Sequence, residues 1–105
     1  MATYNQLPVY KATYDLLLYV YQTGKDVQRD YRYTLGETLK RDLITILTLI
    51  YRANANRQKV EIIVEAREKL VAVKLQLRLL HDLKQLSLKN YANASLMTES
   101  ISKQL

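Results

Sequence analysis

The chain has 105 residues, enough for one domain that closes a core without metal or disulfide. Hydrophobic residues make up 49% and charged residues 25%, with two Gly and one Pro, so the turn chemistry of a many-stranded fold is missing and long helices with short links are expected. Cysteine is absent, which excludes a disulfide scaffold and a thiolate metal site, and the net charge of +6 favours polyanionic partners.

Pro8 suits the first position of a helix, where its missing N–H costs nothing, and Val9, Thr13, Leu16, Leu17 and Val20 then recur on one face. The first helix is expected over about 8–26, with a link near 27–33. Thr34 and Glu37 have the T-x-x-E spacing of a capping box, which places the start of a second helix at 34–54. Its buried face is Leu35, Leu39, Leu43, Ile46, Leu47, Leu49, Ile50 and Ala53, while Arg41, Thr45, Thr48 and Arg52 align on another. Asp42 lies inside the apolar arc and requires a Tyr, Arg or Lys partner, because a lone buried carboxylate is costly. Asn54 and Asn56 close this helix.

A third helix is expected over 57–86. Its first half carries the pairs Arg57 with Glu61 and Glu65 with Lys69, each worth about 0.3–0.5 kcal/mol. From Leu70 to Leu86 the apolar residues spread over roughly 220° of the helix, against little over about 100° for a helix facing one core. A covering surface beyond the chain's own bundle is expected there. The remaining face is a narrow basic line of Arg67, Lys74, Arg78 and His81, with Asp82 and Gln85 beside it and Val71 as the apolar intruder. The charge excess is regional: 57–68 holds three cations and three acids, whereas 69–89 holds five against one. Ser87 caps a fourth helix over 88–104, with Tyr91, Ala94, Thr98, Ile101 and Leu105 on its inner face. One domain over 1–105 follows, an all-α, antiparallel up-down-up-down four-helix bundle.

Catalysis finds no support. A lone His81 without cysteine or clustered carboxylates cannot supply nucleophile, base and orienting group together, and no phosphate loop, zinc-binding helix or di-metal E-x-x-H pair occurs, so neither cofactor nor metal is expected. All nine aromatic residues are Tyr. Tyr10, Tyr14 and Tyr21 recur at helical spacing and fit a core edge or subunit contact, whereas Tyr31 and Tyr33, beside Arg32 in the expected link, are better placed to stack on bases. No stretch approaches about 18 consecutive apolar residues and Met1 to Leu7 lacks the run of a secretory signal, so a cytoplasmic protein without membrane contact is expected.

The segments YRYTLGETLKRDLITILTLIYRAN (31–54) and LRLLHDLKQLSLKNYA (77–92) carry a resemblance over nearly the whole chain. It resembles the four-helix family of proteins encoded in 23S rRNA intervening sequences, which includes the accessory variability (Avd) proteins of diversity-generating retroelements. The resemblance implies a ring-like homo-oligomer, a pentamer, and for retroelement members a nucleic-acid-binding partner of a reverse transcriptase. Arg52 in YRAN and Lys84 in DLKQLS match commonly basic places of the family.

The expected function is therefore a non-catalytic accessory protein that binds RNA or DNA with low sequence specificity. Arg41, Arg52, Lys74, Arg78 and Lys84 would contact phosphates, with Arg67 continuing the line and His81 assisting. The alternative is a helical interaction scaffold that docks an acidic protein partner without touching nucleic acid.

Overall fold

The computed structural model describes residues 3–105, and among them every regular element is helical. After a 3₁₀ turn at Tyr4–Gln6, four long helices follow: α1 (Pro8–Thr23), α2 (Glu37–Asn54), α3 (Val60–Asp82) and α4 (Leu88–Gln104). Each packs against its sequence neighbours, and α1 closes on α4, so the helices stand at the corners of a square with α1 diagonal to α3 and α2 diagonal to α4. The fold is thus all-helical, in agreement with a four-helix bundle.

Expected faces meet in the core. Thr13, Leu16 and Val20 of α1 face Leu39, Leu43, Ile46 and Ile50 of α2, Leu70, Val73, Leu77 and Leu80 of α3, and Ala94 and Ile101 of α4. Thr13 sits in this apolar layer because its hydroxyl donates to the Val9 carbonyl at 2.8 Å, one turn back along its own helix.

The entrance to α2 differs from expectation. Thr34 and Glu37 do not form a capping box: helical backbone already begins at Arg29–Tyr31 and passes through a π turn, Arg32–Gly36, into α2. Earlier carbonyls therefore satisfy the donors a cap would serve. Thr34 turns its hydroxyl back onto the Asp30 carbonyl (2.9 Å), and Glu37 lies 3.8 Å from Lys40. The link is correspondingly earlier. Helix α1 ends at Thr23, a 3₁₀ turn follows at Gly24–Asp26, and extended backbone at Val27 still delivers that side chain to the core. Tyr31 and Tyr33 are consequently helical residues, not link residues. Arg32 donates to the Lys25 and Val27 carbonyls at 3.3 and 3.0 Å, tying the link to the π turn.

Helix α3 is shorter than expected at both ends. Asn56 accepts from the Gln58 N–H (3.2 Å) in a turn that leaves Arg57 outside the helix, so the Arg57–Glu61 pair has no helical register to form in. At the other end Lys84 adopts a left-handed conformation, φ 64°. The Gln85 N–H reaches the Leu80 carbonyl (2.8 Å) and the Lys84 N–H the His81 carbonyl (2.9 Å), the paired bonds of a Schellman stop. The chain then restarts as expected: Ser87 accepts from the Asn90 N–H at 3.1 Å and caps α4. Gln85 accepts from the Gln28 N–H (2.8 Å), so the α1–α2 and α3–α4 links are joined at one end of the bundle.

Candidate nucleic-acid interface

The basic line of α3 forms along the α3–α4 seam, and most of its members already hold partners. Arg67 donates to the Leu105 backbone oxygen, Lys74 lies 3.3 Å from Glu99 of α4, and Arg78 lies 3.7 Å from Asp82 one turn on. His81 is held twice. Its Nδ1–H donates to the Leu86 carbonyl (3.2 Å), and its ring lies flat on Tyr91 with centroids 4.6 Å apart and planes 4° from parallel. Those contacts make it a brace between α3, the turn and α4. Lys84 stands in the turn itself, exposed and, among the described residues, without a salt bridge.

Arg41 and Arg52 do not join that line. Arg52 lies 4.0 Å from Glu65, which is half a turn of azimuth from Lys74 on α3, so the two arginines belong to the opposite side of that helix, on the outer face of α2. The seven sequence-predicted cations thus divide. Arg67, Lys74, Arg78, His81 and Lys84 share one seam and end, while Arg41 and Arg52 share the α2 corner.

Between the two groups runs an exposed apolar stripe. Leu70, Val73, Leu77 and Leu80 are buried, but Leu75 is 65% exposed, Leu79 41% and Val71 66%, with Val64 one further turn back. The wide arc is therefore two surfaces, one facing this bundle's core and one facing out. Val71, an intruder on the helical wheel, belongs to the outer stripe. On the diagonal corner, Tyr14, Leu18 and Tyr21 of α1 are also about half exposed, with the Lys40 ammonium 4.3 Å from the Tyr21 ring centre.

The Asp42 anomaly is resolved at the α2–α3 seam. Gln76 donates to its Oδ2 at 2.7 Å and Lys69 approaches Oδ1 at 3.7 Å. A lysine was among the expected partner types. The glutamine was not, since on the helical wheel it merely interrupts an apolar arc. Gln76 spends its second N–H on the Ala72 carbonyl, and its Oε1 is buried without a partner. Lys69 turning to Asp42 and Glu65 to Arg52, both on α2, also dissolves the expected Glu65–Lys69 pair.

Sequence reasoning missed a tyrosine cluster beside Arg52. Tyr51 of α2 meets Tyr4 edge to face (centroids 4.8 Å, planes 85°), and Tyr4 meets Tyr10 likewise (5.2 Å, 72°). The alignment of Ile44, Thr48 and Tyr51 with Arg41 and Arg52 was visible at helical spacing, but Tyr4 arrives from a 3₁₀ turn that periodicity does not detect. Of the two expected stacking residues, Tyr31 is half-buried against the core, and Tyr33 is exposed with the Arg29 guanidinium 5.9 Å from its ring centre.

Among the described residues no His, Cys, Asp and Glu group of three or more is arranged to hold a metal ion, and no helix is long and apolar enough to cross a membrane. None of the curated proteins compared with the chain matches it. The family model described as bAvd-like matches residues 7–105, which spans all four helices, the basic seam and the α2 corner. The chain belongs to the bAvd-like family.

Proposed function

We propose that this chain is a non-catalytic accessory protein that assembles with copies of itself into a closed ring, binds RNA or DNA with little sequence preference, and serves a reverse transcriptase as Avd proteins do. The observation that carries the assembly is the pair of unlike apolar surfaces on diagonal corners, aliphatic on α3 and tyrosine-rich on α1. Contiguous apolar residues left in water mark contact sites. When a patch pairs with a different patch on the next copy, each copy keeps one free patch, and repeated association closes into a ring where the rotation allows. Five copies is the number the family resemblance implies.

The cations support a polyanionic ligand. With a net charge of +6, the pairs that occupy Arg52, Arg78 and Lys74 are partly exposed and 3.3–4.0 Å long, each worth under about 1 kcal/mol. Phosphates can replace those carboxylates at small cost, and counterion release then drives association. Helical faces bearing arginine and lysine contact backbone phosphates, which carry no sequence information.

Light scattering over a range of concentrations tests the assembly: a monomer at every concentration rejects it. Fluorescence anisotropy with a labelled duplex at several salt levels tests the ligand. Affinity should fall with log salt at about 0.9 per phosphate contacted. Absence of binding at low salt, together with nuclease-resistant capture of an acidic polymerase surface that Arg78→Glu abolishes, selects the protein-docking scaffold instead.

A further inference from the structure

We infer that the α2 corner, built from Tyr51, Tyr4, Arg41 and Arg52, is a binding platform for single-stranded nucleic acid, distinct from the basic α3–α4 seam. It rests on the nucleic-acid reading above and deepens it by naming the strand form and the residues that select it.

Several observations meet at this corner. Tyr51 is 50% exposed and touches Tyr4 edge to face, as Tyr4 touches Tyr10. An edge-to-face contact covers one face of only one ring of the pair, whereas the flat stack of Tyr91 on His81 covers a face of each. With Ile44, Leu47 and Thr48 the rings border a shallow cleft of about 280 Å³. Arg41 is exposed and makes no salt bridge among the described residues, and Arg52, its side chain 55% exposed, has only the 4.0 Å approach to Glu65. Both arginines lie on the outer face of α2, Arg52 next to Tyr51 in the chain and Arg41 roughly 16 Å away along the helix axis at about 1.5 Å per residue.

An aromatic face flanked by cations is what an unpaired strand uses: bases stack on the rings while the backbone follows the charges, without hydrogen-bond readout of sequence. A duplex gains little from it. Its base faces are already stacked on one another, and exposing one costs unstacking energy.

The test uses the full chain, a fluorescently labelled oligo(dT) and a mixed-sequence duplex of equal length, in anisotropy titrations at several salt levels. Tyr51→Ala should weaken oligo(dT) binding about tenfold while leaving the duplex unchanged. Tyr51→Phe, which keeps the ring face, should bind as the wild type does. Arg41→Ala with Arg52→Ala should reduce the salt slope on oligo(dT) by about 1.4, at roughly 0.7 per single-strand phosphate. Tyr4→Ala should repeat the Tyr51→Ala loss at lower amplitude, and circular dichroism verifies the helical fold of each variant. Wild-type affinity in a folded Tyr51→Ala, or an equal loss on duplex and oligo(dT), overturns the platform while leaving nucleic-acid binding standing. A wild type that binds neither ligand overturns both. Poly-glutamate binding as tight as oligo(dT), and equally lowered by Tyr51→Ala, assigns the corner to acidic protein and also overturns the proposal.

Discussion

Replacing Gln76 by Leu removes the hydrogen bond that satisfies Asp42 at the α2–α3 seam, and its magnitude follows from the geometry. Both residues are 8% exposed, and the bond runs 2.7 Å to a charged acceptor. Hydrogen bonds to charged groups contribute about 1.5–3 kcal/mol, more than a neutral pair. Lys69 remains, but at 3.7 Å with a side chain 42% exposed it compensates for well under about 1 kcal/mol. Against the loss stands the release of the unpartnered Gln76 Oε1, whose burial costs about 1–3 kcal/mol. Those two terms largely cancel, and what remains is the Asp42 carboxylate left buried with an unmet acceptor, so the net expectation for Gln76→Leu is a destabilisation of about 1–2 kcal/mol. Asp42→Leu alone should cost a similar amount, because the Gln76 amide keeps only the Ala72 carbonyl. The double variant buries two apolar side chains at one seam and should return to within about 1 kcal/mol of the wild type, as paired polar groups exchanged together often do. Urea unfolding followed by far-ultraviolet circular dichroism, at one fixed protomer concentration, yields the four corners of the cycle. A coupling energy of about 2 kcal/mol is expected. A value below about 0.5 kcal/mol, the level of independent sites, would refute the assignment of Gln76 as the partner of Asp42.

Lys84→Gly relieves a left-handed residue, a conformation costing about 1–2 kcal/mol for L side chains, at the expense of about 0.5–1 kcal/mol of unfolded-chain freedom; a net gain of about 0.5–1 kcal/mol should appear as a higher urea midpoint. Gly24→Ala places a methyl where nothing lies within 4 Å, at φ −70°, so it should stabilise by about 0.4–1 kcal/mol, and a lower Tm would contradict that backbone conformation. Ser87→Ala removes the α4 cap and should cost about 1 kcal/mol, whereas Ser87→Asp, which can accept the same N–H, should not; equal losses in thermal unfolding would show that the cap contributes nothing.

The fold was legible because the buried faces of α1, α2 and α4 each repeat at helical spacing and bury together. What misled was chemistry with two uses. Thr34 and Glu37 have the spacing of a cap, but a threonine hydroxyl satisfies itself equally well on the carbonyl four residues back within a continuous helix, and Asp30 supplies it. Gln76 was similarly ambiguous, since a polar residue in an apolar arc marks either a solvated edge or a buried bond, and only a neighbouring helix decides which. The cations were visible, but their grouping was not. Helix α3 separates Arg52 from Lys74 by its full width, and periodicity within one helix says nothing about which seam its neighbour's arginines join.

Helix α3 needs roughly half its circumference for this bundle's core, yet its apolar residues continue onto the outer side through Val71, Leu75 and Leu79. Charge placed in the middle of that stripe should therefore leave the fold intact and act only between molecules. Leu75→Glu is the sharper substitution, because Leu75 is 65% exposed and contributes little to the core. Its unfolding midpoint at low concentration should shift by no more than the ±0.5 kcal/mol typical of surface changes. In a ring, however, each copy would present the carboxylate to an apolar partner face, where desolvation of an unpaired charge opposes association. Tyr14→Glu on the diagonal corner should have the same effect, and a mixture of the two variants should assemble no further than dimers, since each retains one intact face. Oligomers longer than dimers from that mixture would show that the α1 and α3 corners are not the surfaces that join the copies.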